Sequence, residues 1–337
     1  MKMMHEEIAD NTSSAALLAR IQALIGSELQ EVEQIFLSEI AGRHPFVREV
    51  LDHMAGYRGK RLRPILLLMS ALACGAIEQQ HLVLAAVVEM IHTATLVHDD
   101  VLDEATTRRH VATVNSRWTN ETSVLLGDYL FTHAFHLASS FGDAAACRMI
   151  GRATNIVCTG EMAQVADRGN LALTEEQYFD IIEAKTAELC AISCYLGGHY
   201  GGASPAVCDA LDGFGRSLGI AFQIADDLLD VVGSEHKTGK SLGTDLQQQK
   251  LTLPLIHLLA RAAPRQAHEI RDLLTRPDEQ TRGRLLPMLK GSGALHYARS
   301  RADEFTVAAR QHLTVLAESP ARQLLEDMAD FVTVRSA

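Results

Sequence analysis

No C-x-x-C pair joins any of the six cysteines, at positions 74, 147, 158, 190, 194 and 208, so neither a zinc-knuckle nor a redox-pair spacing is present. Cys190 and Cys194 stand at a helical spacing that suits packing, and the chain is expected to be reduced and cytoplasmic rather than stapled by disulfides. Proline is scarce, 8 residues in 337, while 47% of residues are hydrophobic. That balance excludes a disordered chain and leaves ample material for a helical core. An excess of basic charge is also missing. The net charge of −11 argues against nucleic acid as a main partner, although locally concentrated cations would still suit a polyanionic substrate. The N-terminal MKMMHEEIADNTSS has no apolar core of the signal-peptide kind, and residues 1–14 are expected to form a flexible leader. The longest apolar run, Ile65 to Ile77, falls short of the roughly 20 residues that span a bilayer. A soluble protein is expected.

No β-type alternation with hairpin turns stands out. Instead, apolar residues recur at three- and four-residue intervals from Leu17 to Ile40, then over 65–92, 122–141, 144–166, 175–200, 206–232, 251–262, 266–275 and 295–316. That period predicts helices. The breaks between them are short and none resembles a linker, so the expectation is a single all-α domain over 1–337.

Two aspartate triplets of identical spacing occur at the ends of apolar stretches: Asp99-Asp100-Val101-Leu102-Asp103 and Asp226-Asp227-Leu228-Leu229-Asp230. Burying a carboxylate without a partner is costly, so six of them beside apolar helical segments need a reason. Positions i and i+4 share a helix face; Asp99 with Asp103, and Asp226 with Asp230, therefore each aim two carboxylates the same way. Two such clusters facing one another would hold Mg²⁺, which takes oxygen ligands and is commonly bound by one or two carboxylates plus phosphate oxygens. The pattern points to a diphosphate held by metal between two helices.

Cations surround this pattern in sequence. Arg108 and Arg109 follow the first triplet; an isolated pair would be a solvated loop, but here guanidinium forks suit phosphate oxygens. Upstream, Gly59-Lys60-Arg61-Leu62-Arg63-Pro64 places Lys60 and Arg63 three apart, able to share a face and grip a second anion, with Arg61 read as a solvated helix-start charge. Lys240, flanked by glycines, suits a loop that closes over a ligand. Lys185-Thr186 interrupts an apolar helical segment. Gln223 faces the same way as Asp226, and His92 lies two turns before Asp99 on one face, which favours a ligand role over a core histidine. The 15 histidines show no zinc spacing.

Taken in order, GKRLRP, DDxxD followed by RR, a mid-chain KT, a second DDxxD, and Lys250 followed by TLP closely resemble the trans-isoprenyl diphosphate synthases. TVNSRW and SVLLGDYLF resemble the long-chain polyprenyl branch. The resemblance implies an antiparallel helical bundle around a deep central cavity, usually a homodimer. It implies head-to-tail condensation of isopentenyl diphosphate with an allylic diphosphate, without a protein nucleophile. Asp99, Asp103 and Asp226, with Asp100, Asp227 and Asp230 nearby, would bind Mg²⁺, three ions per site when substrate is present. Arg108, Lys185, Gln223 and Lys240 would contact the allylic diphosphate, with Thr186 near it and Lys250 beside them. Lys60, Arg63, His92 and Arg109 would hold isopentenyl diphosphate. The chain departs from the family at Arg58, His110, Ala112 and Gln249, where glycine or proline is commoner, and Gln249 puts the role of Lys250 in doubt.

Product length follows from size. A helix rises about 1.5 Å per residue, so one turn accommodates about one isoprene unit. Short-chain members of the family commonly carry an aromatic plug four or five residues before the first triplet. Here those residues are Thr95 and Ala94, both small, with Ile91, Val88 and Val87 deeper as partial obstacles. Phe131 and Phe135 on the next helix read either as the cavity floor or as ordinary core aromatics. The expected product is roughly C30 to C50, centred on about C40. Competing readings are a short-chain synthase, a terpene cyclase, a head-to-head condensing enzyme and a non-catalytic subunit of a heteromeric synthase. The second diphosphate motif and both intact triplets argue against the last three. The starter, the downstream lipid and any transient membrane contact during product release are left open.

Overall fold

The computed structural model describes residues 2–41, 44–57, 59–109, 111–141, 144–233, 243–278 and 280–334, with backbone alone for 2–14 and 333–334. Helices dominate, as the sequence period predicts. The chain forms two compact units: Met1–Thr154, Leu189–Gly215 and His312–Met328 in the first, and Asn155–Glu188, Arg216–Gln311 and Ala329–Ala337 in the second. Neither unit is one contiguous stretch.

In the first unit α1 (Lys2–Glu39) leaves helical geometry at Ile25. The helix runs through residues 2–14, expected as a flexible leader. Their Met, Glu and Ala residues are good helix formers. α2 (Pro45–Met54) opens with proline, whose missing N–H costs nothing in the first turn, and His44 Nδ1 accepts from the Phe46 N–H at 3.2 Å. The expected stretch 65–92 divides at Gly75 into α3 (Leu62–Cys74) and α4 (Gln79–Leu102). α4 is long and apolar enough to cross a bilayer, but 72% of its apolar stretch is buried, as in the core helix of a globular unit. A hairpin of β1 (Thr107–Arg108) and β2 (Val111–Ala112) follows, with Thr107 opposite Ala112. Two residues per strand are too few to produce a readable alternation. α5 (Val114–Arg117) leads to α6 (Asn120–Ala138), capped by Thr119, whose Oγ1 accepts from the Thr122 N–H at 3.1 Å. α6 packs along α4.

Next come α7 (Ala145–Ala166), α8 (Glu175–Ile182), a π-helical turn (Glu183–Ala187), α9 (Glu188–Tyr200) and α10 (Pro205–Val232). The chain then continues through α11 (Thr244–Gln247), α12 (Leu253–Arg261), α13 (Pro264–Thr275), α14 (Thr281–Ser292), α15 (Ala294–His312) and α16 (Pro320–Val334). In α14 Pro287, Gly283 and Gly291 dilute the helical period, yet the helix buries Leu285 and Leu289. The core of the second unit gathers Tyr178, Ile182, Ile224, Leu228, Leu253 and Ile270. Into this core the chain delivers the π-turn that carries Lys185 and Thr186. The backbone there is approached closely from two sides: a Cβ on Gly160 would lie 2.8 Å from Lys185 N, and one on Gly219 would lie 2.5 Å from Ala187 Cα. Only hydrogen fits at either position.

Candidate active site

The first triplet ends α4. Asp99 and Asp103 are half-buried, and the Asp103 N–H still donates to Asp99 O at 2.8 Å, so the i, i+4 relation survives at the helix end. Asp100 differs: it is 1% exposed and binds Arg108 through Nε at 2.9 Å and Nη2 at 2.8 Å. Burial pushes its carboxyl pKa up, opposed by that hydrogen bond and the Arg108 charge. Arg108 is therefore anchored to the triplet.

Arg109 reaches back to the other basic motif. Its Nη1 donates to Tyr57 O at 2.5 Å, and a Cβ on Gly59 would sit 2.5 Å from that same nitrogen. A side chain on Gly59 would displace the Arg109 guanidinium from this position, and Arg109 itself adopts φ 51°. Motifs some 50 residues apart thus converge, as expected from their chemistry. Arg63 lies in the first turn of α3, and its Nε is buried without a hydrogen-bond partner. Lys60 is exposed and precedes Arg61, the residue that caps α3; the expected shared helical face of Lys60 and Arg63 does not form, because the helix begins after Lys60. His92 completes the group. Burial, then Arg63, Arg109, Arg108 and Arg61, hold its pKa well below the usual 6.5. A cationic cluster with an orphaned guanidinium N–H is suited to an anion.

A pH effect follows from His92. A base whose pKa is lower folded than unfolded takes up its proton more readily in the unfolded chain, so its stability contribution is present above about pH 6.5 and lost as pH falls. In melting curves between pH 7 and pH 5, His92→Gln is expected to lose less thermal stability than the parent chain.

The second triplet, in α10, is arranged differently. Asp226 is half-buried. Asp227 is 4% exposed and accepts from Tyr178 Oη and Gln223 Nε2, each at 2.7 Å. Burial, then Asp245, pushes its pKa well above the carboxylate range. Asp230 is taken up by the start of α11: its Oδ1 accepts from Gly243 N at 3.0 Å and Thr244 Oγ1 at 3.1 Å. Asp230 thus serves as an acceptor for groups at a helix start, where backbone N–H groups lack intrahelical partners.

A cavity of about 100 Å³ in this unit is lined by Lys185, Thr186, Gln223, Asp227, Asp245 and Lys250, among others. Thr186 Oγ1 donates to Gln223 Oε1 at 2.8 Å, which orients the Gln223 amide with its nitrogen toward Asp227. Lys185 Nζ sits 2.5 Å from Glu161 Oε2 and 2.8 Å from Gln164 Oε1. Glu161, Gln164 and Tyr178 were not legible as site residues: nothing in a run such as GEMAQ marks a partner on another helix. Lys250 lines the cavity, and its N–H donates to Asp245 O at 2.8 Å. Gln249 adopts φ 55°, which explains why glycine suits that position. Lys240, Arg58 and His110 lie outside the described residues. Gly160→Ala is expected to cost about 1–3 kcal/mol by overpacking the π-turn and to weaken anion binding at Lys185, checked by thermal unfolding and substrate titration.

The residues fit a hard divalent cation. The first triplet at the end of α4, and Asp230 in the last turn of α10, lie where the helix dipole disfavours negative charge, so a cation offsets a cost the fold already carries. Among the described residues no three His, Cys, Asp or Glu side chains gather into a complete cation site. Carboxylates in smaller sets suit a metal that takes its remaining ligands from phosphate and water.

Below Asp99, α4 presents Ala94 and Ile91, 0% and 1% exposed, with Val88 and Val87 beneath them. Thr95 is half-buried, and its Oγ1 donates to His92 O at 2.8 Å. On α6 both Phe131 and Phe135 are half-buried; the Phe131 ring meets that of His98 at 5.9 Å.

The chain is similar to known proteins over most of its length. The Polyprenyl synthetase family model matches residues 44–286. Octaprenyl diphosphate synthase of Escherichia coli (strain K12) is 34% identical over 323 residues, covering 94% of this chain and 99% of its own. A short chain isoprenyl diphosphate synthase from Methanothermobacter thermautotrophicus is 35% identical over 291 residues, covering 84% and 89%. Among solved structures, a polyprenyl synthase from Caulobacter crescentus CB15, complexed with calcium and isoprenyl diphosphate, aligns with a TM-score of 0.90 at 34% identity, over 95% of this chain and 98% of that one.

Proposed function

Because the chain belongs to the polyprenyl synthetase family and is a prenyltransferase, we propose that it condenses isopentenyl diphosphate head to tail (1′-4) with an allylic diphosphate such as farnesyl diphosphate. The product is an all-trans polyprenyl diphosphate of roughly C30 to C50, centred on about C40, by the one-turn-per-isoprene argument. The observation that carries this reading is the cationic group of Arg63, His92 and Arg109, with its orphaned Arg63 Nε, in a chain that also holds the triplets.

Lys60, Arg63, His92 and Arg109 bind isopentenyl diphosphate. Arg108, Lys185, Thr186, Gln223, Lys240 and Lys250 bind the allylic diphosphate. Asp99, Asp103 and Asp226 hold Mg²⁺, three ions per site with substrate; when bound, the metal neutralises charge on the departing diphosphate. The allylic C–O bond breaks and the diphosphate leaves with the bonding pair. The double bond of isopentenyl diphosphate supplies electrons for the new C–C bond, and the proton then lost passes to the released diphosphate. The side chains orient two anions and stabilise developing charge. The active species is a cytoplasmic homodimer, and product leaves through transient membrane contact.

The test is incubation of the purified chain with Mg²⁺, labelled isopentenyl diphosphate and farnesyl diphosphate. Label should enter an extractable prenyl product, stop on chelation with EDTA and resume on addition of Mg²⁺. No incorporation by the chain alone would favour the non-catalytic-subunit reading. The short-chain relative supports a second reading, a shorter product, which Ala94 opposes.

A further inference from the structure

Arg61 does not point into solvent as a helix-start charge should. Its side chain is 22% exposed and its guanidinium forms two ion pairs, Nη1 with Glu89 at 2.6 Å and Nη2 with Glu33 at 2.8 Å. The Phe36 ring lies 5.6 Å beneath it. Glu33 comes from α1 and Glu89 from α4, each 28 residues away in sequence. Glu89 is 5% exposed, and a carboxylate so placed is costly unless paired. Arg61 also adopts φ 52°, ψ 38°, a left-handed conformation that is unfavourable for a residue with a side chain. Such strain persists where surrounding contacts over-determine it.

The strained residue is the one at which the chain turns from the Gly59-Lys60 loop into α3. It sets where Lys60 ends, where Arg63 begins and, through Gly59, the surface on which Arg109 lies. Glu89 is three residues before His92 on α4. We infer that Arg61, clamped by Glu33 and Glu89, is a positioning residue that aims the cations of the isopentenyl diphosphate site without binding the diphosphate itself. The inference rests on the assignment of Lys60, Arg63, His92 and Arg109 to that substrate.

Charge alone and positioning predict opposite results. Glu89→Gln removes a negative charge near a site for an anion, so electrostatics by itself would lower KM for isopentenyl diphosphate. Positioning predicts that KM rises about tenfold, the scale of a lost charge-assisted hydrogen bond. Arg61→Lys keeps the charge but not the two-armed geometry; positioning again predicts a rise, and charge alone predicts no change. In both variants KM for the allylic diphosphate should stay within about twofold, whereas a general loss of fold would raise both constants together. Arg63→Gln serves as control and should raise KM for isopentenyl diphosphate. If Arg63→Gln raises it while Glu89→Gln lowers it or leaves it unchanged, the clamp is overturned and the site assignment stands. If Arg63→Gln has no effect, the assignment falls and the inference with it. Should Arg61→Lys not fold, Glu89→Gln decides alone.

Discussion

Asp226→Ala is expected to lower kcat by about three orders of magnitude, on the scale of several kcal/mol for lost metal-assisted charge stabilisation, while leaving the unfolding midpoint almost unchanged. Asp226 is half-buried and, unlike Asp227, is not sunk in the core, so its removal is expected to take away a function more than a support. Asp227→Ala should behave in the opposite way. It would strip the Tyr178 hydroxyl and the Gln223 amide of their 2.7 Å acceptor. Each buried donor left unpaired costs about 1–3 kcal/mol, so the midpoint falls by several degrees. Thermal unfolding and steady-state kinetics on the two variants check the contrast. Equal loss of stability in both would mean that Asp226 is structural.

Ala94→Phe should shorten the product sharply, to about C15–C20. Ala94 is fully buried and lies five residues before Asp99, about 7.5 Å along the helix at 1.5 Å per residue. An aromatic ring there would block a growing chain after about one further isoprene unit and would cost about 1–3 kcal/mol in overpacking. Chromatography of the dephosphorylated products reads the result. Unchanged product length would sink the proposal that the chain grows alongside α4.

The parts of the site legible in sequence were those carried by local spacing. Asp99 and Asp103, the Arg108-Arg109 pair and Lys185-Thr186 each announce themselves by residue type against an apolar background, and the helices by their period. What escaped depends on distant partners. The spacing places Asp230 on the face of Asp226 but does not show that Gly243 and Thr244 donate to it. Lys185 looks like a lone cation, yet Glu161 and Gln164 hold it. The π-turn beneath it adds no signature to the sequence; its trace is the need for hydrogen at Gly160 and Gly219. Arg61 stands where a charge is ordinarily solvated, and its two carboxylates lie on separate helices, so no local pattern announces them.

The central claim is that this chain by itself extends an allylic diphosphate into a long prenyl chain. The most direct measurement is the length distribution of products formed by the purified chain from farnesyl diphosphate, excess isopentenyl diphosphate and Mg²⁺. A ladder ending between roughly C30 and C50, centred on about C40, is the result predicted from the small residues Thr95 and Ala94 that precede Asp99 on its helix. Products that stop at about C20, or no elongation at all, would contradict it.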